Sequence, residues 1–222
     1  MKFDHFVIIR FALDIFDKPC SDEWIEQRIP IFKRVCLPSL EAQTNKKFRV
    51  ILLVKQGFKH FNRLPSGDYE IIEAGNPWGE DLKRILLDRV RTCADWIITT
   101  RMDNDDAIER GFIDRVQSVF CENQVTTAVN LQNGLILKDA ALFYIRYLSN
   151  MFISVISKKD VMATCYDANH QDMFRKYPMV NITHGGPFWL INRHPQSLSY
   201  RHKEQGLRPT EDYSLLKRFS NE

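Results

Sequence analysis

Short, unbroken apolar runs alternate with helically spaced apolar residues over the N-terminal half of the chain. Phe6 to Phe11, Phe48 to Val54, Tyr69 to Ala74 and Trp96 to Met102 lack a polar alternation, so each predicts a strand buried on both faces. Gly75, Asn76 and Pro77 close the third run. Ser21 predicts a helix cap, with Asp22 and Glu23 well placed against the helix dipole. Pro30 suits the first turn of the next helix, where Phe32, Val35, Cys36 and Leu40 follow at helical spacing and Pro38 predicts a kink. Leu82, Ile85, Leu86, Val90 and Cys93 make one apolar face of a further helix, and Phe112, Val116, Val119 and Phe120 mark another.

The pattern then changes. Val125 to Leu131 and Leu135 to Leu137 flank Asn133-Gly134, which predicts a hairpin. Strands are expected at Phe152 to Ser157 and Phe188 to Asn192, with a short helix around His170 to Lys176. Strand–helix alternation followed by a mixed region predicts an α/β fold, with a central mixed, mostly parallel sheet flanked by helices. No repeat, linker or low-complexity tract interrupts the chain, so residues 1–222 are expected to form a single domain.

Composition narrows the class. With 222 residues, 44% hydrophobic and 27% charged, the chain can bury a real core and is neither disordered, collagen-like nor a coiled coil. A net charge of +3 is too mild to argue for nucleic acid but suits an anionic small ligand in a local basic pocket. Five scattered cysteines (Cys20, Cys36, Cys93, Cys121, Cys165) indicate neither a disulfide framework nor a zinc site, so a reducing, cytoplasmic setting is expected. Asp4, His5, Arg10 and Asp14 break up the apolar N-terminus, which reads as a buried strand and not a signal peptide. No window reaches the roughly 20 uncharged apolar residues of a membrane helix.

Candidate chemistry concentrates in TTRMDNDDAI, Thr99 to Ile108, where Asp103, Asp105 and Asp106 follow a buried strand. Ligands of open α/β sheets bind at the carboxyl ends of strands. Clustered carboxylates there need a cationic partner, and hard oxygen ligands suit Mg2+ or Mn2+ with positions left for substrate phosphates. The bland alternative is a solvated acidic turn at the start of the next helix, with Asp106 as a helix cap.

Several stretches resemble the GT-A glycosyltransferases, especially the inverting, nucleotide-sugar type. VCLPSLEAQTNKKFRVILLV (Val35 to Val54) is similar to their first helix and second strand, and ADWIITTRMDNDDAI to the strand leading into their D-x-D motif. ISVISKKDVM (Ile153 to Met162) is similar to a later strand and helix, and RHPQSLS (Arg193 to Ser199) to their C-terminal R-H-x-x-S-x-S segment. TTRMDNDDAI, SNMFISVIS and PFWLINRH together resemble the putative rhamnosyltransferase family, so the likeness spans about Phe6 to Ser199. Two departures stand out. Lys55, Gln56 and Gly57 replace the usual acidic residue after the second strand, and His170-Gln171-Asp172 stands where the family carries a Glu-Asp pair.

The resemblance implies a metal-dependent glycosyltransferase, with a nucleotide-sugar-binding half at 1–106 and an acceptor-side half at 107–222. It implies Mn2+ or Mg2+ as cofactor, with Asp105 on the metal and Asp103 on the metal or the ribose. His194, the histidine of R-H-x-x-S-x-S, would complete the metal shell or bind the diphosphate. Its partners would be a nucleotide-sugar donor and a glycan or lipid-linked acceptor, and surface-polysaccharide synthesis its setting. Arg10, Lys55, Arg84 and Arg101 are candidate donor contacts, each alternatively a surface charge or ion pair. Inverting transfer needs a base for the acceptor hydroxyl; Asp172 matches that position, with His170 as the alternative. Trp78, Trp189 and Tyr144 can stack on sugars or belong to the core, and His184 beside Gly185-Gly186-Pro187 borders the acceptor side or is a plain loop. Two other classes compete. An Asp-dependent phosphohydrolase usually carries its D-x-D loop after the first strand, not the fourth. A non-catalytic metal- or nucleotide-binding module with a calcium loop fails the pattern at Ala107 and Ile108.

Overall fold

The computed structural model describes residues 2–14, 20–74, 80–89, 92–197, 200 and 207–220. The expectations for Gly75, Asn76, Pro77, Trp78, Val90 and Ser199 fall outside these residues. Along the chain run β1 (Phe3–Ala12), α1 (Asp22–Ile31), a π turn (Phe32–Cys36), α2 (Leu37–Glu41), β2 (Arg49–Lys55), β3 (Glu70–Ala74), α3 (Glu80–Arg89) and β4 (Trp96–Met102). There follow β5 (Ala107–Ile108), α4 (Phe112–Gln117), β6 (Thr127–Leu131), β7 (Asn133–Lys138), β8 (Ala141–Arg146) and β9 (Ser154–Lys158). The C-terminal part holds a 3-10 turn (His170–Asp172), α5 (Met173–Lys176), β10 (Met179–Ile182), β11 (Trp189–Arg193), β12 (Arg208–Thr210) and a last 3-10 segment (Tyr213–Phe219). Among the described residues no helix is long and apolar enough to cross a membrane.

Seven strands form the central sheet in the order β10-β6-β9-β4-β1-β2-β3. Its β3-β2-β1-β4 run is parallel throughout, β9 enters antiparallel between β4 and β6, and β10 is parallel to β6. This is the expected mixed, mostly parallel α/β sheet. Its inner strands β1, β2, β4 and β9 lack a polar alternation because both faces are covered. Val7, Ile9 and Phe11 of β1 pack with Phe32, Ile98 and Trp189 on one face. Phe6 and Ile8 pack with Leu82, Ile97, Val155 and Tyr166 on the other. A second sheet, β12-β8-β7-β11-β5, lies in the C-terminal half and takes in the short strand that follows the acidic loop.

Three local expectations are corrected. Pro30 does not open a helix; it lies inside α1 near its end. The helical path continues beyond it by widening into the π turn, where Leu37 donates to the Phe32 carbonyl, and Pro38 then sits at the start of α2. Asn133-Gly134 is not a hairpin turn. β6 and β7 belong to different sheets, and Gly134 lies in β7 because the Trp189 ring leaves no room there for a Cβ. The hairpin is β7–β8, turning at Asp139 and Ala140, whose φ values of 48° and 63° give the two positive angles of a type I′ turn. Finally, the helix after β4 ends at Gln117, so Val119 and Phe120 pack beyond it.

Candidate active site

The acidic loop leaves the carboxyl end of β4, and its even-numbered residues fasten it. Asn104 donates to the Phe11 carbonyl of β1 (2.6 Å), and Asp106 accepts the Asn192 N–H of β11 (3.0 Å). Asp106 is therefore an internal tether, and the helix-cap reading is corrected: β5 intervenes, and Gly111 is the N-cap residue of α4. Burial, reinforced by the Asp105 and Asp103 charges, raises the Asp106 carboxyl well above the usual carboxylate range.

Asp105 is the hub. Its Oδ2 accepts from His194 Nε2 at 3.0 Å and is ion-paired with Arg28 Nη1. Burial alone would push the Asp105 carboxyl up; the His194 hydrogen bond and the Arg28 guanidinium more than offset it and hold the group below its ordinary value. Arg28 also donates to Asn104 Oδ1 (3.2 Å) and the Gln196 carbonyl (2.8 Å), and His194 Nδ1 meets Gln196 Oε1 at 2.8 Å. Helix α1, the loop after β4 and the loop after β11 thus converge on one carboxylate, bringing His194 to Asp105 across 89 residues of sequence.

Asp103 lies on another side of the loop, 4.0 Å from Arg101 Nη2. Arg10 of β1 and Arg101 of β4 both lie over the Tyr166 ring, at 5.0 and 5.3 Å from its centroid. Register explains the pairing: Arg101 is opposite Ile8, two residues before Arg10, so both side chains leave the same face. The Tyr166 hydroxyl donates to the Ile8 carbonyl (3.1 Å) and fixes the ring beneath them. Arg101 Nε and Nη1 are buried with no hydrogen-bond partner among the described residues. So is His170 Nδ1, and burial, helped by Arg101, drives the His170 pKa down to about 4. Asp172 is half-exposed and paired with Arg175 at 3.0 Å.

Other candidates are held elsewhere. Arg84 is an exposed surface charge paired with Asp81 at 3.0 Å, and Lys55 donates to the Cys20 carbonyl. Trp189 is core and stacks with Tyr147 and Phe152, while Tyr144 is partly exposed on β8. Asn133 holds the His184 loop through the Thr183 and Gly185 carbonyls. Beside the 170–172 turn a cleft of about 460 Å3 is lined by Gln132, Leu148, Gln171, Phe174 and Asn181. A larger hollow of about 780 Å3 lies at the opposite, amino-terminal end of β4 and contains none of the candidate residues.

The side chains do not fit a divalent ion as they stand. Asp105 and His194 meet, but Arg28 already occupies their shared oxygen, and Asp103 is directed to Arg101. Among the described residues no three His, Cys, Asp or Glu side chains converge as metal ligands. Sequence reasoning missed Arg28, Asn104, Gln196 and Tyr166. Arg28 carried a usable signal: it falls three residues after Ile25 and one before Ile29, on the apolar face of a helix whose other charged residues point outward.

A mostly parallel sheet with the Asp103–Asp106 loop tethered at its carboxyl edge is an α/β architecture whose ligand edge lies at that loop. The chain belongs to the putative rhamnosyl transferase family, whose model matches residues 19–205. No curated protein matches it. Among solved structures, S. aureus TarS 1-349 in complex with UDP-GlcNAc is similar, at 9% identity and a TM-score of 0.48, covering 91% of this chain and 62% of that one. The 4-diphosphocytidyl-2C-methyl-D-erythritol synthase of Anaerococcus prevotii is similar at 11% identity and a TM-score of 0.46, covering 81% and 87%. The inositol-1-phosphate CTP transferase of T. maritima is similar at 10% identity and a TM-score of 0.39, covering 88% and 91%. The chain thus spans less than two thirds of the TarS chain.

Proposed function

We propose that this chain is an inverting glycosyltransferase that moves rhamnose from a nucleoside diphosphate sugar to a hydroxyl of a glycan or lipid-linked acceptor. The observation that carries the reading is the family match over most of the chain. The charge pattern supports it. Departure of a nucleoside diphosphate develops negative charge, and Arg10 and Arg101 stand side by side on Tyr166 at the edge where α/β sheets take ligands. In this reading Asp103 faces the donor between Arg101 and the sugar nucleotide. The acceptor lies in the cleft beside the 170–172 turn, whose Gln132, Gln171 and Asn181 amides and exposed Phe174 suit a sugar ring. The base is on that turn. His170 has an enclosed ring nitrogen with no hydrogen-bond partner among the described residues, whereas Asp172 is engaged by Arg175.

The test is transfer itself. The purified chain is incubated with nucleoside diphosphate sugars, rhamnose among them, and with methyl glycoside acceptors; nucleoside diphosphate release is followed and the new linkage read by NMR. Acceptor-dependent release from the rhamnose donor with inverted anomeric configuration is expected. His170→Gln should lower kcat with the donor KM little changed, and Asp172→Asn should do less. Release of inorganic phosphate from a phosphomonoester, with no glycosidic product from any donor, would replace this reading with a phosphohydrolase.

A further inference from the structure

Arg28 stands where a cation is required, and it is held there from several directions. Its side chain is 5% exposed. The guanidinium carbon lies 4.7 Å over the Trp24 ring, Nη1 serves Asp105 and Asn104, and Nη2 serves the Gln196 carbonyl. Trp24 and Arg28 are one helical turn apart in α1, so the stack is set by the helix and needs no distant element to form. An ion entering between Asp105 and His194 would have to expel this guanidinium or sit against it, cation on cation. Expulsion would strand a desolvated charge in the protein, because the groups that satisfy Arg28 are fixed parts of the same three segments.

The surrounding donors point the same way. Arg28 Nε, Arg101 Nε and Arg101 Nη1 are buried with no hydrogen-bond partner among the described residues, and a planar guanidinium serves oxyanions well. We propose that Arg28 is the counter-charge of Asp105 in place of a divalent cation, and that this chain binds nucleoside diphosphates without a metal. The nucleotide half of that statement rests on the glycosyltransferase reading; the Arg28 half does not. The carboxylate of the D-x-D loop then positions an arginine and a histidine, and the diphosphate meets protein cations alone.

The experiment has a metal arm and a nucleotide arm, both on the full chain. In the first, Mn2+ alone is titrated into the protein and free Mn2+ is read by its EPR signal. A signal that grows as in buffer is expected; so is binding that survives Asp105→Asn, since it lies elsewhere. Stoichiometric binding that Asp105→Asn abolishes would overturn the proposal. In the second, UDP and dTDP are titrated by calorimetry with EDTA or with Mn2+. Affinities within about threefold of each other are expected, and a loss of about tenfold or more in EDTA would overturn the proposal. Arg28→Met should weaken the nucleotide about tenfold or more in either buffer. If that variant does not fold, the wild-type arms decide the matter. If neither nucleotide binds under any condition, the glycosyltransferase reading fails, and the Mn2+ arm still decides what stands on Asp105.

Discussion

His5 makes a quantitative prediction about acid stability. Its ring is 2% exposed, within β1. Nδ1 accepts from Gln117 Nε2 at 3.2 Å, and that same amide also donates to the Lys47 carbonyl (2.8 Å). Nε2–H donates to Thr100 Oγ1 (2.8 Å), whose hydroxyl can donate to Ser154 Oγ (2.6 Å). Protonating Nδ1 would set an N–H against an amide N–H, and the Gln117 amide cannot simply turn over, because its oxygen already accepts from Asn45 at 2.9 Å. Burial accordingly drives the His5 pKa from 6.5 down to about 3. The sign follows by linkage. Below the unfolded value the unfolded chain takes a proton that the folded chain refuses, so stability contributed by neutral His5 is complete above pH 6.5 and is lost as pH falls toward 3. Between about pH 7.5 and pH 5 the loss is about 2 kcal/mol.

His170 acts with the same sign, and Asp106 with the opposite one, since a carboxyl raised by burial stabilises the fold at low pH and loses that contribution as pH rises. The net pH profile therefore mixes several groups, and the difference between two proteins isolates one. His5→Gln keeps a neutral hydrogen-bonding side chain and removes the titration. Urea unfolding of both proteins from about pH 7.5 to pH 5 should show the wild type losing about 2 kcal/mol more than the variant, a midpoint difference of roughly 0.7 M. Parallel curves would refute the reasoning, whatever the absolute stability of the variant.

Gly134→Ala should destabilise the chain by about 2–4 kcal/mol in urea unfolding, because its methyl would lie 2.2 Å from a buried Trp189 ring that also stacks with Tyr147 and Phe152. Gly57→Ala is the contrast: nothing lies within 4 Å of the new methyl, and only its φ of +70° penalises it, by about 1 kcal/mol. Tyr166→Phe removes the hydrogen bond to the Ile8 carbonyl and should cost about 1 kcal/mol with nucleoside diphosphate affinity retained by calorimetry. Tyr166→Leu also removes the ring beneath Arg10 and Arg101 and should lower that affinity about tenfold.

The parts of the molecule legible in its sequence are those whose neighbours are generic. β4 spans Trp96–Met102 as its apolar run predicts, β1 extends its run at both ends to Phe3–Ala12, and β2, at Arg49–Lys55, is displaced from its run by one residue, since any strand buried on both faces shows the same pattern. The acidic loop was legible for a related reason: polar residues directly after such a strand lie at the sheet's edge. What stayed hidden depends on a particular distant partner. Gly134 looked like a turn residue, but its small size serves Trp189, 55 positions away in sequence. The real turn, at Asp139 and Ala140, carries no glycine to announce it. Pro30 reads as a helix opener until the π turn that follows it is seen.

Alternation along the loop after β4 carries the logic of the site. Asn104 and Asp106 face inward and pin the loop to β1 and β11, and an uncharged amide and a carboxyl whose pKa is raised suit that buried duty. Asp103 and Asp105 are thereby turned toward arginines from two different elements, Arg101 of β4 and Arg28 of α1. Each charge is met close at hand, so carboxylates that would repel one another in isolation are held within one short loop. A D-x-D spacing here does more than supply two oxygen ligands: the residue between and the residue after determine which way each carboxylate looks. The cost of removing Arg28 should therefore appear in two places at once, as a carboxylate left with His194 alone and as a donor edge short of one cation. Asp105→Asn relieves the first deficit only, so the Arg28→Met and Asp105→Asn double variant should recover stability relative to Arg28→Met while nucleoside diphosphate binding stays weak.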